Sequence, residues 1–230
     1  MRYQVSIIGG TGAQGFGLAL RWARAGLSVC IGSRSLEKAK GSASKVTSTI
    51  GRPVKVDGFE NPSAAGSSDT VVIAVPFEAH YGILKSIKPN LRDGAVLIDV
   101  TVPLATAIGG PPSRTLGLWE GSAAEQARRI LPTGVKVVAA FTNVSSNALV
   151  DLGSPVDCDS IICTDEEAAR ERTFELCKQI PGLNPVDGGP LENSRIVESI
   201  TALLITINMR YGVDRAGIRI TGLRSGSTKV

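Results

Sequence analysis

Residues 3–15 constrain this chain more than any other stretch. Tyr3-Gln4-Val5-Ser6-Ile7-Ile8 is an extended, mostly apolar run that passes directly into Gly9-Gly10-Thr11-Gly12-Ala13-Gln14-Gly15. Gly10, Gly12 and Gly15 match G-x-G-x-x-G, and the apolar residues from Leu18 to Ala23 behind them read as a helix. Strand, glycine turn and helix in that order give the pattern the context it needs to mean dinucleotide binding. Gly10 is expected to permit the tight turn, Gly12 the approach of a pyrophosphate to the backbone, and Gly15 the close packing of helix on strand. The helix start then offers unpaired N–H groups and a partial positive charge to the phosphates.

The alternation continues downstream. Strands are expected at Leu27–Ile31, Pro53–Val56, Thr70–Val75, Ala95–Val100 and Lys136–Phe141. Helices are expected at 36–50, capped by Ser35, at 78–87, and after the Ser122-x-x-Glu125 capping box. Val102 to Ser113 has no periodicity and reads as a loop. Strands alternating with helices over short connections imply an α/β fold, a Rossmann-type doubly wound parallel sheet. Only 4% of residues are aromatic against 43% hydrophobic, so the core must be built from Val, Ile, Leu and Ala. Beyond residue 155 a strand at Asp159–Cys163, a helix at 166–179 and a short strand at Asn184–Asp187 precede a long helix from Glu192 to Arg210. We therefore expect a nucleotide-binding domain over 1–155 and a small C-terminal α-rich region over 156–230. The Ile196, Ile200, Leu203, Ile207 stripe of the long helix should cover either the sheet or a second subunit, and 224–230 should fray.

Composition narrows the function classes. The net charge of +4 is spread along the chain rather than clustered, which favours anionic small molecules over nucleic acid. Four cysteines without a C-x-x-C pair, and a single histidine, give no metal site; Cys30 and Cys163 read as reduced core residues. The first strand starts at the N-terminus, so no signal peptide is expected, and Ile200–Met209 is too short to span a membrane. A cytoplasmic protein is expected.

A free ribose 2′-hydroxyl is usually held by an acid about 20 residues past the glycine turn. Here the second strand ends Ile31-Gly32-Ser33-Arg34 with no acid, and Lys38 follows one turn into the next helix. A hydroxyl, a guanidinium and an ammonium suit a 2′-phosphate, hence NADP(H). Tyr81-x-x-x-Lys85 has the spacing of a short-chain dehydrogenase pair but follows the fourth strand, too early for that role, and reads as helix surface. His80 reads as a helix cap or surface histidine, with proton donor as the alternative. No catalytic acid–base set is assigned, which points to hydride transfer between bound partners.

Ile8-Gly9-Gly10-Thr11-Gly12, Gly32-Ser33-Arg34, Ser122-Ala123-Ala124-Glu125 and Gly188-Gly189-Pro190-Leu191-Glu192-Asn193-Ser194-Arg195 together resemble the NADP-dependent oxidoreductases of coenzyme F420. The resemblance implies hydride transfer between NADP(H) and a deazaflavin. It would assign Gly10, Thr11, Gly12, Ala13 and Gln14 to the phosphates, and Ser33, Arg34 and Lys38 to the 2′-phosphate. Phe77 and Ser146 would lie along the nicotinamide, and Arg195, Ser199 and Thr201 at the deazaflavin, in a homodimer. One departure falls after the sixth strand. The best-known archaeal members read His-Thr-Ile-Pro, and this chain reads Thr142-Asn143-Val144-Ser145. Val144 keeps an apolar contact, Thr142 replaces an ionisable group, and Asn143 is expected to offer a hydrogen bond to a substrate carbonyl. The alternatives are an NADPH-dependent reductase of a free flavin, an imine or a ketone, and a non-catalytic NADPH sensor.

Overall fold

The structure is a computed structural model and describes residues 2–223. The expected fraying of 224–230 lies outside the described residues. Six strands, β1 (Val5–Ile8), β2 (Val29–Ser33), β3 (Val56–Glu60), β4 (Thr70–Ile73), β5 (Val96–Asp99) and β6 (Lys136–Ala139), form one sheet in the order β3-β2-β1-β4-β5-β6. Every pairing in it is parallel. The order reverses between β1 and β4, and that crevice is where ligands of such sheets bind. The doubly wound Rossmann-type fold expected from the sequence is therefore present.

Helices cover both faces: α1 (Ala13–Arg24), α2 (Leu36–Ile50), α3 (Asn61–Ala65), α4 (Phe77–Ile87), α5 (Ala123–Ile130) and α6 (Ser146–Val150). Ser35 and Ser122 accept from the backbone N–H groups of Lys38 and Glu125, as N-caps should. One strand lies elsewhere than expected. β3 follows Pro53-Val54-Lys55 instead of containing it. It is an edge strand, half-exposed apart from Gly58, so Val-Asp-Gly-Phe-Glu carries no apolar run to betray it. Gly58 fixes the site, because a Cβ there would lie 2.3 Å from the Ala39 carbonyl carbon of α2. The short helices α3 and α6 escape a periodicity search altogether. In the segment read as a loop, Ala105–Ile108 forms a 3-10 turn, and Leu104 bridges Thr115.

The chain then continues through β7 (Cys158–Ile162), α7 (Glu167–Lys178), β8 (Leu183–Asp187) and α8 (Ser194–Tyr211). β7 and β8 form a two-stranded parallel sheet tied to the end of β6 by two bonds between Ala139 and Cys163. Leu176, Cys177 and Leu183 share a core with Leu18, Trp22 and Ile31. All four cysteines are buried, and burial pushes the Cys30 and Cys163 thiols up to about 12. α8 buries Val197, Glu198, Ala202 and Leu204. Ile196 and Leu203 of the apolar stripe are 61% and 58% exposed, so that stripe does not cover the sheet. Among the described residues, no helix is long and apolar enough to cross a membrane.

Candidate functional site

The glycine turn folds as its spacing demands, with one reassignment. The left-handed residue is Gly9, at φ +81°, where a Cβ would lie 2.5 Å from the Ala74 carbonyl oxygen; Gly10 does not adopt positive φ. A Cβ on Gly15 would lie 2.8 Å from both Gly10 Cα and the Gly9 carbonyl oxygen, which explains how α1 starts so close to β1. Gly12 is the N-cap of α1, and the first turn of that helix contains no acid. A Cβ on Gly12 would meet nothing nearer than 3.4 Å and would instead intrude into a groove.

That groove consists of two clefts meeting over the start of α1. One has a volume of ≈ 530 Å³ and is walled by the segments that follow β1, β4, β5 and β6, with α8 opposite. The other, ≈ 630 Å³, runs from Thr11 toward Lys38 and Lys45 on α2. Gly12, Ala13, Ser146 and Asn147 line both. Both volumes lie in the range of small-molecule sites. Ser33 is buried at the end of β2, and Arg34 and Lys38 are exposed beside it. Neither cation forms an ion pair within the described residues.

Several of the sequence-derived residues meet in the first cleft: Gly12, Ala13, Gln14, Phe77, Thr142, Val144, Ser146 and Thr201 all line it. The Gln14 amide donates to the Phe141 carbonyl at 3.1 Å. Thr201 Oγ1 donates to the Thr142 carbonyl at 2.9 Å, pinning α8 to the loop after β6. Phe141 is the one described non-glycine residue with positive φ, +60°, and its ring meets Trp22 edge-on with centroids 5.7 Å apart. That conformation costs ~1–3 kcal/mol and redirects the chain at the point where Thr142 and Val144 enter the cleft. Thr142 Oγ1 is buried without a partner. Arg195 and Ser199 stand outside the cleft lining. The Arg195 guanidinium pairs with Glu125 at 2.6 Å, and Ser199 Oγ donates to the Arg195 carbonyl.

Two expectations are corrected. Asn143 lines the first cleft, but its amide is already engaged structurally: Nδ2 donates to the Asp159 carbonyl at 2.7 Å and Oδ1 accepts from Ile161 N at 3.4 Å, which secures β7. His80 is neither a cap nor on the surface; it is fully buried. Its Nε2 lies 2.7 Å from Asp99 Oδ2 and its Nδ1 3.2 Å from Gln126 Oε1, both within hydrogen-bond distance. Burial pulls the imidazole pKa down, but the Asp99 carboxylate outweighs it and the net shift is upward. Tyr81 and Lys85 do lie on the helix surface, with the ammonium 5.3 Å from the Tyr81 ring centroid.

The sequence reading also missed three supports of the site. Arg21, 4% exposed, donates to the carbonyls of Ala148 (2.7 Å), Leu149 (2.8 Å), Asp151 (2.5 Å) and Ser154 (3.0 Å), satisfying the end of α6 from α1. α6 thereby holds Ser146 at the seam of the two clefts. Gly17 lets α1 and α6 touch, since a Cβ there would lie 2.6 Å from Leu149 Cβ. Finally, the segment after α8 folds back along the cleft, where Asp214 accepts from Ser145 Oγ and Asn147 Nδ2. Farther along, Arg219 Nη1 donates to Asp159 Oδ1 at 2.7 Å. Burial raises the Asp159 pKa, yet the Ile220 N–H and Arg219 hold it below the usual carboxylate range.

A family model described as NADP oxidoreductase coenzyme F420-dependent matches residues 4–103. An F420-dependent NADP reductase of Methanothermobacter thermautotrophicus is 50% identical over 225 residues, 97% of each chain. The chain belongs to this family. A protein of the same name from Methanocaldococcus jannaschii is 43% identical across 96% of this chain and 99% of its own. Among solved structures, one from Arthrobacter sp. FB24, provisionally identified as an F420-dependent NADP reductase, superposes with a TM-score of 0.81. At 23% identity, covering 95% of this chain and 99% of that one, it speaks to the fold alone. So does a reductive aminase from Aspergillus terreus, with a TM-score of 0.61 and 11% identity over 92% of this chain and 64% of its own.

Proposed function

We propose that this chain is an oxidoreductase that transfers hydride between NADP(H) and the deazaflavin coenzyme F420. The observation that carries the reading is the groove across the free N-terminus of α1, cationic at its Lys38 end and largely uncharged at its Thr201 end. The backbone from Thr11 to Gln14 and the first N–H groups of α1 bind a pyrophosphate without a side-chain cation. Arg34 and Lys38, with the Ser33 hydroxyl, neutralise a 2′-phosphate. Ala74, Val75, Phe77 and the Val100–Val102 stretch form one wall for a nicotinamide, and Ser146 meets its ribose side. Opposite, Thr142, Val144, Thr201, Leu204 and Ile205 face the acceptor ring. Arg195 and Ser199 lie at the start of α8, where an anionic tail leaving the cleft would pass.

The two coenzymes supply the redox chemistry, a hydride from dihydronicotinamide C4 to deazaflavin C5. The protein's contribution is to hold two planar rings face to face and exclude water, so no side-chain acid or base is required. Residues 1–155 hold the nucleotide, and α8 of the C-terminal region completes the acceptor wall that Thr142 and Val144 begin. The exposed Ile196/Leu203 stripe, continued toward the helix end by Tyr211, is the surface on which two copies form a homodimer. The substrates are small cytoplasmic molecules. Micromolar enzyme mixed with NADPH and oxidised F420 should bleach the visible absorbance of the deazaflavin. An unchanged spectrum would overturn the proposal.

A further inference from the structure

Behind the cleft, a buried polar chain links its floor to its far wall. The floor is held by Asp99, whose Oδ1 accepts from Thr101 N at 2.9 Å while Oδ2 accepts from His80. His80 stacks beneath Phe77, with centroids 6.0 Å apart, and reaches Gln126 on α5. The start of α5 is in turn occupied by α8. Glu198, 2% exposed, accepts from Ala123 N at 3.0 and 3.1 Å and from Ala124 N at 3.4 Å. Ser194 Oγ donates to Ser122 Oγ at 2.7 Å, and Arg195 pairs with Glu125. Glu198, Thr201 and Ile205 follow one another at i, i+3 and i+7, so they share a helix face.

We propose that Glu198 is a positioning residue: it clasps the start of α8 to the start of α5, and so sets the width of the cleft between Thr101 and Thr201. The inference rests on reading that cleft as the hydride-transfer site. Its physical basis is the helix-start accounting. The first N–H groups of α5 are buried and need acceptors, and Glu198 satisfies them from the helix that carries the acceptor wall. A shift of ~1 Å in ring spacing is enough to slow transfer about a hundredfold. The charged and titratable groups around Glu198 are Asp99 on β5, His80 on α4, Glu125 on α5, Arg195 on its own helix and Cys163 beyond β7. Burial raises the Glu198 pKa to about 8, the Ala123 N–H opposes the rise and the Asp99 carboxylate adds to it. Ionisation therefore adds a second buried anion beside Asp99 and strains the clasp.

The test compares Glu198→Ala and Glu198→Gln with the unmodified protein. Glu198→Ala should lower kcat for hydride transfer to F420 about tenfold or more and raise KM for F420 about tenfold, while the NADPH Kd stays within about twofold. Glu198→Gln mimics the neutral acid, so its F420 KM should match the unmodified protein below pH 8 and stay flat above it, where the unmodified protein's KM climbs. Unchanged KM in Glu198→Ala, a parallel loss of NADPH binding, or coincident pH profiles would each overturn the clasp. Hydrogen exchange reads the clasp without an acceptor: amides of 194–205 should exchange faster in Glu198→Ala while those of β1 do not. If the unmodified protein leaves F420 untouched, the functional reading falls, and exchange alone then decides the clasp.

Discussion

Thr142→Val separates what the cleft needs from what the fold needs. Thr142 is 7% exposed, and its hydroxyl oxygen has neither solvent contact nor a hydrogen-bond partner. Leaving a buried hydroxyl unpaired costs ~1–3 kcal/mol. Valine has the same branched shape with a methyl in place of the hydroxyl, so the cavity does not change. The bond from Thr201 Oγ1 ends on the backbone carbonyl of residue 142 and survives the substitution. The unliganded protein should therefore gain ~1 kcal/mol, which for a chain of this length raises Tm by ~2–4 °C. Calorimetry and urea titration on the unliganded protein both read this gain. Because the wall meets an acceptor through the shape of residue 142, KM for F420 should stay within about threefold, or ~0.7 kcal/mol. A Tm equal to or below that of the unmodified protein would mean the hydroxyl is satisfied, and the reasoning would fail at its first step.

Arg34→Ala should weaken NADPH by ~1–3 kcal/mol through loss of a charge-assisted bond and leave NADH nearly unchanged. Equal losses in titration calorimetry would remove the 2′-phosphate assignment. Gly17→Ala places a Cβ 2.6 Å from Leu149 Cβ, and overpacking of that kind costs ~1–3 kcal/mol, read as a lower urea midpoint. Glu198 ionises near 4.5 in the unfolded chain but near 8 in the folded one, so between those values the folded state binds more protons and stability falls as pH rises. The shift corresponds to about 4–5 kcal/mol, lost progressively between pH 4.5 and 8; Glu198→Gln should flatten that slope in denaturation curves, and an unchanged slope would contradict it.

What the sequence determined by itself were the features whose causes are local. The strand, glycine turn and helix start of residues 3–15 are legible because each turn glycine answers to an atom within the same unit or beside a neighbouring strand. Ser35 and Ser122 cap their helices through bonds to residues three positions on, and the absence of an acid after β2 is visible in the string. Tertiary structure decided the rest, because the energy that settles those features comes from partners distant in the chain. α6 has five residues, too few to hold together alone, and exists because Arg21 of α1 takes its carbonyls. β3 carries no apolar run because its two large apolar residues are divided between the faces, Val56 toward α2 and Phe59 toward Tyr3, around a glycine that the approach of α2 requires. His80 looked like a surface residue until folding brought Asp99 and Gln126, 19 and 46 positions away, to its two nitrogens. The direction of the α8 stripe was equally closed to periodicity, which shows that a helix has two faces but not which one the core takes. In this helix Glu198 decides, since a buried start of α5 needs an acceptor more than the core needs another isoleucine.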